Sequence, residues 1–512
     1  MNATPSPDMT RHSPSDVEHL DVLIVGAGLS GIAAAHYVRT DCPWASYAVL
    51  EAREALGGTW DLFRYPGIRS DSDMFTFGYS FRPWKRPEAI AKGETILAYL
   101  QETASEEGID RHIRFDTRVI AADWSTEDAR WSVTVEDTVS GERTTLTCSF
   151  YINCTGYYRY DHGYQPDFPG RDAYQGTFIH PQHWLEGLDV DGKTVVVIGS
   201  GATAVTLVPA LARRAAHVTM LQRSPTYIAS VPSTNPIASR LRKILPSRYR
   251  DGGVRWALAL SSQGFYQLSQ RRPDLVKRML RRGIERQLPD GYDIDRHFAP
   301  SYDPWDQRLC TVPDGDLFGA LRDGSTSVIT DTIDTFTATG IRLRSGQHLD
   351  ADIVVSATGL DLLFLGGTEL SVDGVPVKVT DRLTYKGMML EGVPNLALVI
   401  GYTNASWTLK AELTCGYTTR LLNHLRDTGL RQCTPVNDDP SLADQPLLGL
   451  ASGYIQRAAD RMPKQGSKAP WLVHQSYLRD YRAMKRSDLN DRVMQFTNPV
   501  PIPARNPDLE PA

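Results

Sequence analysis

Asp21-Val-Leu-Ile-Val-Gly26-Ala-Gly28-Leu-Ser30-Gly31-Ile-Ala-Ala-Ala35 is the stretch on which the fold turns. An apolar run of strand character passes into three glycines spaced G-x-G-x-x-G and then into an alanine-rich segment that reads as a helix. The first glycine permits a tight turn, the second lets backbone approach a pyrophosphate, and the third lets helix pack closely on strand. The helix N-terminus then offers free N–H groups to phosphate. The next apolar run, Tyr47-Ala-Val-Leu-Glu51, closes on a carboxylate at about the 20-residue spacing expected of an acid that holds ribose hydroxyls. A carboxylate there repels a 2′-phosphate, so this cradle is expected to take FAD or NAD(H).

A second cradle follows. Lys193-Thr-Val-Val-Val-Ile198 is a strand, Gly199-Ser200-Gly201-Ala202-Thr203-Ala204 is a G-x-G-x-x-A turn entering a helix, and the strand His217–Gln222 ends in Arg223-Ser224. A cation stands where the first cradle has its carboxylate. Arginine pairs with a 2′-phosphate through two N–H groups, which favours NADP(H); an isolated, solvated loop arginine is the alternative. Two cradles of opposite charge preference imply hydride relay from NADPH to a flavin. The fold class is therefore α/β, with two dinucleotide-binding, Rossmann-like domains.

The 512 residues favour two or three domains, and the net charge of -5 argues against nucleic acid as a partner. No apolar run reaches the roughly 18 residues of a membrane span, and the N-terminus lacks a signal-peptide layout. A cytoplasmic protein with a disordered leader over 1–18 is expected. Cys42, Cys148, Cys154, Cys310, Cys415 and Cys433 form no C-x-x-C pair and no zinc spacing, so neither a metal site nor a redox-active pair is expected.

Residues Phe115 to Ile152 alternate as three antiparallel strands and run into Asn153-Cys-Thr155-Gly156; a matching strand end is Ala357-Thr358-Gly359. Two such junctions suggest two crossings between domains. The expected organisation is an FAD-binding domain from 19–158 and 352–490, an NADP-binding domain from 159–228 and 298–351, a helical insertion at 229–297, and a tail at 491–512. The insertion is rich in Arg and Lys, with Leu275, Met279 and Ile284 at helical intervals. A solvated basic face and a surface for weak membrane or anionic-ligand association both fit it.

Between Glu51 and the three strands lie Gly57-Gly58-Thr59-Trp60-Asp61 and Arg64-Tyr65-Pro66-Gly67, then Asp71. The glycine pair is either an ordinary loop or a close backbone approach to a flat ring system, with Trp60 and Tyr65 stacking nearby.

Tyr174-Gln-Gly176-Thr-Phe-Ile-His180-Pro-Gln-His-Trp184, just before the second cradle, resembles the fingerprint F-x-G-x-x-x-H-x-x-x-W of the Baeyer-Villiger monooxygenases. With the order of the cradles, Gly57–Trp60, Arg64–Gly67 and Asp71, the resemblance spans Asp21 to about Tyr481. Gly67–Asp73, Tyr302–Cys310 and Gly401–Lys410 are similar to the ethionamide-activating branch. Tyr174 and Leu185 depart from the fingerprint, which has Phe and then Pro or Asp there. The resemblance implies FAD held by Gly26, Gly28, Ser30, Gly31, Glu51, Gly58, Thr59, Trp60, Asp61, Asp71 and Val119. It implies NADPH held by Gly199, Ser200, Gly201, Ala202, Thr203, Ala204, Arg223 and Ser224. Relatives with a lysine at the position of Gln307 use it on the 2′-phosphate, so here that task leans on Arg223.

The same resemblance implies a reaction of NADPH, O2 and a small-molecule ketone in which reduced flavin carries oxygen as a C4a-peroxide and inserts it beside the carbonyl. Arg308 matches the family's active-site arginine, Asp71 would orient it, and His180 would couple domain rotation to NADP binding or serve as a structural histidine. The pocket would be built from flavin, Arg308, the helical insertion and the loops 360–384 and 404–407. Sulfide or thioamide oxygenation is a plausible second activity. An N- or S-oxygenating flavin-containing monooxygenase is the alternative enzyme, and a scaffold with structural FAD is the alternative from another class.

Overall fold

The computed structural model describes residues 17–449 and 451–499; the expected leader up to residue 16 and the expected tail beyond 499 lie outside them. β1 (His19–Val25) leads through Gly26–Gly28 into α1 (Leu29–Asp41), and β2 (Tyr47–Leu50) returns parallel to β1. β3 is Ile113–Arg114. The three strands expected between Phe115 and Ile152 are β4 (Thr117–Ser125), β5 (Arg130–Asp137) and β6 (Arg143–Asn153), paired antiparallel in sequence. β6 then runs parallel beside β1, with Ile152 opposite Ile24.

Alternation along β1 explains why the sheet is covered on both faces. Val22 and Ile24 pack with Ile32 and Ala35 of α1, whereas Leu23 and Val25 pack with Trp124, Trp131 and Tyr151 of the antiparallel strands. All nine of these side chains are buried, and each is worth about 1.5–3 kcal/mol or less of transfer free energy.

The second sheet is wholly parallel. It contains β7 (Thr177–Ile179), β8 (Thr194–Ile198), β9 (His217–Gln222), β12 (Thr326–Thr330) and β13 (Ile353–Ser356), in the order β12-β9-β8-β13-β7. α2 (Ala202–Leu211) crosses from β8 to β9. Val195 and Val197 face α2, while Val196 and Ile198 face a small antiparallel meander containing Ile341 and Leu343. The sequence reading put residue 352 onward in the first domain, but β13 pairs with β8 and β7 in the second sheet. The crossing comes just after Ser356, at Ala357-Thr358-Gly359. The chain then returns to the first sheet, where β14 (Glu369–Val372) pairs with β4 and β15 (Leu396–Leu398) pairs with β6. The long helix α6 (Trp407–Thr428) packs on α1.

Between β9 and β12 the chain forms a two-stranded parallel ribbon, β10 (Ile228–Val231) with β11 (Cys310–Pro313), enclosing α3 (Pro236–Ile244), α4 (Ser247–Arg271) and α5 (Pro273–Glu285). The helical insertion leans on the first domain. Buried Arg255 of α4 donates to the carbonyl oxygens of Thr76 (2.9 Å) and Gly78 and pairs with Glu412 of α6. The other oxygen of Glu412 accepts from the N–H (2.8 Å) and hydroxyl (2.6 Å) of Ser80. A buried charge so fully bonded is costly to break from one side, by about 3–5 kcal/mol.

Candidate active site

The first cradle is held by backbone contact. Gly26 sits at φ +102°, and a Cβ there would lie 2.7 Å from the carbonyl oxygen of Cys154; one on Gly31 would lie 1.8 Å from that of Gly26. Gly28 and Gly58 approach each other closely, the Gly57 N–H donates to Ala27 O at 3.0 Å, and both Gly57 and Gly58 have positive φ. The glycine pair is therefore fixed against the backbone of the first cradle, at Ala27 and Gly28. Trp60 and Tyr65 line the same cavity.

Glu51 is buried, and its carboxylate accepts from the N–H of Ala27 (2.8 Å) and of Arg53 (3.1 Å). Burial raises its pKa while these donors oppose the shift. Arg53, which the sequence did not single out, pairs with Asp61 at 2.7 Å through one nitrogen and leaves Nη1 buried without a partner among the described residues. An orphaned guanidinium N–H beside a ribose-type carboxylate and a glycine cradle fits a phosphate-bearing dinucleotide.

In the second cradle Gly199 sits at φ +128°, where a Cβ would come 2.4 Å from Ala357 O, while a Cβ on Gly201 would meet nothing within 4 Å. The hydroxyls of Ser200 and Thr226 lie 2.7 Å apart. Arg223 and Ser224 are exposed at the end of β9, and no described carboxylate pairs with Arg223.

One cavity of about 1350 Å³ joins the two cradles. Gly26, Gly28, Ser30, Glu51, Gly58, Thr59, Trp60, Asp71 and Val119 line it from the first domain. Gly199, Ser200, Gly201, Ala202, Thr203, Arg223, Ser224 and Arg308 line it from the second. Gly31, Asp61 and Ala204 do not. Gly31 and Ala204 lie where helix meets strand, and Asp61 is buried between Arg53 and Arg64. Against expectation, no residue from 227 to 306 lines the cavity, because the inward face of α4 is committed to Thr76, Gly78 and Glu412. Leu360, Leu363, Ala405 and Trp407 do line it, and Trp407 Nε1–H donates to Ser30 Oγ at 2.9 Å.

Arg308 and Asp71 meet on the cavity wall as an ion pair, their side chains 30% and 40% exposed. Asp71 comes from the loop after Gly67, and Arg308 is set by the pairing of Cys310 with Ile228 in the ribbon. The carboxylate of Asp71 raises the pKa of Arg308 further, against the effect of burial. Tyr157, Tyr158 and Tyr454 share the cavity with it. The first two directly follow the Thr155-Gly156 junction and were findable from it. Tyr454 comes from the distant C-terminal part, and nothing local marks it.

The fingerprint residues lie off this cavity. His180 bonds through Nε2 to Gly359 O (3.1 Å), and the N–H of Gln182 donates to its Nδ1 (3.2 Å). The second contact needs Nδ1 unprotonated, so the ring is the neutral Nε2–H tautomer, and burial lowers its pKa. The contact ties the loop after β7 to the junction after β13. Gly176 packs on the hydroxyl of Tyr174, which donates to Ala351 O at 2.9 Å, and Trp184 packs at the edge of the second core.

A model of the flavin-binding monooxygenase-like family matches residues 69–371, and one of an NAD(P)-binding Rossmann-like domain matches 24–87. The FAD-containing monooxygenase EthA of Mycobacterium tuberculosis is 53% identical over 487 residues, 95% of this chain and 99% of that protein. The probable FAD-binding monooxygenase AlmA of Acinetobacter baylyi is 51% identical over 488 residues, 94% of this chain and 96% of that protein. In solved structures, an oxidized steroid monooxygenase bound to NADP superposes with a TM-score of 0.75 at 22% identity, covering 94% of this chain and all of that one. A complex of OTEMO with FAD and NADP gives 0.71 at 20% identity over the same shares, a likeness of fold.

Proposed function

Because the chain belongs to the flavin-binding monooxygenase-like family, we propose that this flavin monooxygenase uses NADPH and O2 to insert oxygen beside the carbonyl of a ketone, giving an ester or lactone. The observation that carries this reading is the Arg308–Asp71 pair on the wall of the cavity that joins the two cradles. FAD bound in the first cradle would accept hydride from NADPH and activate O2, from which the transferred oxygen comes.

The chain's own groups do the rest. Arg308 keeps its proton throughout, so it presents a fixed cation to negative charge that develops on the carbonyl oxygen during insertion; preorganised stabilisation of that kind is the largest lever such a site has. Asp71 fixes the direction of the guanidinium and holds its pKa high. Arg223 takes the 2′-phosphate that distinguishes NADPH from NADH. Glu51 would hold the ribose of FAD, and Nη1 of Arg53, unpartnered among the described residues, would be free to donate to the bound dinucleotide. His180 holds the loop after β7 to the second crossing at Gly359, and from there it would couple domain rotation to NADP(H) binding.

The family model that matches residues 69–371 describes a flavin-binding monooxygenase without naming a substrate, so oxygenation of sulfides or thioamides is the second reading. Incubation of the purified, FAD-loaded protein with NADPH, O2 and a panel of linear, cyclic and aryl ketones plus a thioether, followed by product analysis, separates the two. Esters or lactones support the first reading; sulfoxide alone supports the second. Consumption of NADPH with neither product contradicts both.

A further inference from the structure

The helical insertion contributes nothing to the cavity, yet it holds most of the exposed large apolar side chains among the described residues: Ile237, Ile244, Tyr249, Leu260, Leu275 and Met279. We propose that its outer face, centred on the corner between α3 and α4, docks on an anionic lipid bilayer surface.

The helical phase of α3 gives the arrangement. Ala238 is buried and Leu241 and Arg242 half-buried, so these mark the inward side. Ile237 and Ile244 stand two turns apart on one stripe, 46% and 76% exposed, with exposed Arg240 and Lys243 on the same outward half. The chain turns at Leu245-Pro246, and α4 opens with exposed Arg248 and Tyr249, the guanidinium 4.5 Å from the ring centroid. α5 repeats the pattern, with Val276 and Ile284 inward and Leu275, Arg278, Met279 and Arg282 outward.

None of Arg240, Lys243, Arg248, Arg278 or Arg282 pairs with a described carboxylate, although neighbouring Lys277 and Arg281 do. A net charge of -5 makes this cationic face a local exception. Cations alone would suit any polyanion. Isoleucines placed between them suit an interface with an apolar layer beneath a negatively charged one, where Lys and Arg stay with headgroups and Ile and Tyr enter the acyl boundary. Lipid is therefore favoured over nucleic acid.

The test is co-sedimentation of the FAD-loaded protein with vesicles of phosphatidylglycerol and phosphatidylcholine, or of phosphatidylcholine alone. Binding is expected only to the anionic vesicles and is expected to weaken with salt. Ile237→Ser with Ile244→Ser should lower partitioning by roughly tenfold. Arg240→Gln, Lys243→Gln and Arg248→Gln should each lower it by roughly fivefold. NADPH oxidation should be unchanged in all of them. No binding to anionic vesicles, equal binding to both kinds, or equal binding by the isoleucine variants overturns the proposal. So does a dimer that the isoleucine variants dissociate while no form of the protein binds vesicles, since the face would then meet a second copy of the chain.

Discussion

Replacing Arg308 by alanine separates its chemistry from its contribution to folding. Its ion pair with Asp71 is partly exposed on both sides, 30% and 40%, so solvent screening leaves it worth about 0–1 kcal/mol of stability. The melting temperature of Arg308→Ala should therefore lie within about 2–4 °C of the parent. Loss of one preorganised donor to a developing oxyanion costs about 2.7–4 kcal/mol of transition-state stabilisation, a factor of roughly 10² to 10³ in kcat. The assay is ester formation from a ketone, followed in parallel with NADPH oxidation and FAD content. Ester formation should fall by that factor while reduction of the flavin by NADPH stays largely intact. Arg308→Lys should recover only part of the loss, since an ammonium keeps the charge but not the planar fork. Ester formation at the parent rate in Arg308→Ala refutes the reasoning. A large loss of stability, with flavin reduction and ester formation falling together, refutes it as well, because the residue would then be structural.

Three further outcomes follow from the geometry. Gly31→Ala places a Cβ on the carbonyl oxygen of Gly26 and should lose FAD absorbance, whereas Gly199→Ala, which meets Ala357 O, should keep FAD and raise the KM for NADPH; FAD retention equal in the two variants would contradict the assignment of cradles. Arg223→Ala should raise the KM for NADPH much more than that for NADH, and equal changes would remove its role at the 2′-phosphate. The folded-state pKa of His180 is lowered from the ordinary value of about 6.5, so its contribution to stability is present above that pH and is lost as pH falls toward the folded pKa. The loss of melting temperature between pH 7 and 5 should be smaller in His180→Asn than in the parent, and identical slopes would exclude this account.

The parts of the fold that were legible in the sequence are those fixed by local chemistry. Gly26, Gly31 and Gly199 occupy positions where a side chain collides with backbone, so the glycine spacing is itself a record of the packing. The alternation of β4 to β6 likewise records one face packed on the core and one turned toward solvent. What stayed hidden depends on partners remote in the chain. β13 ends in the same kind of apolar run whichever sheet receives it, so the domain boundary near residue 352 could not be placed. Arg53 looks like any surface arginine until Asp61 folds against it and leaves one nitrogen orphaned. The insertion was legible as helical and basic, but its period did not reveal that Arg255 turns inward to Glu412 and away from the cavity.

The central claim is that oxygen from O2 is inserted beside a carbonyl at the site of Arg308. Mass spectrometry of the product formed by the FAD-loaded protein from NADPH, a ketone and ¹⁸O2 tests it most directly. The account predicts an ester or lactone that carries one ¹⁸O atom from O2, formed in step with NADPH oxidation. Unchanged ketone, with NADPH oxidised only to yield hydrogen peroxide, would contradict it.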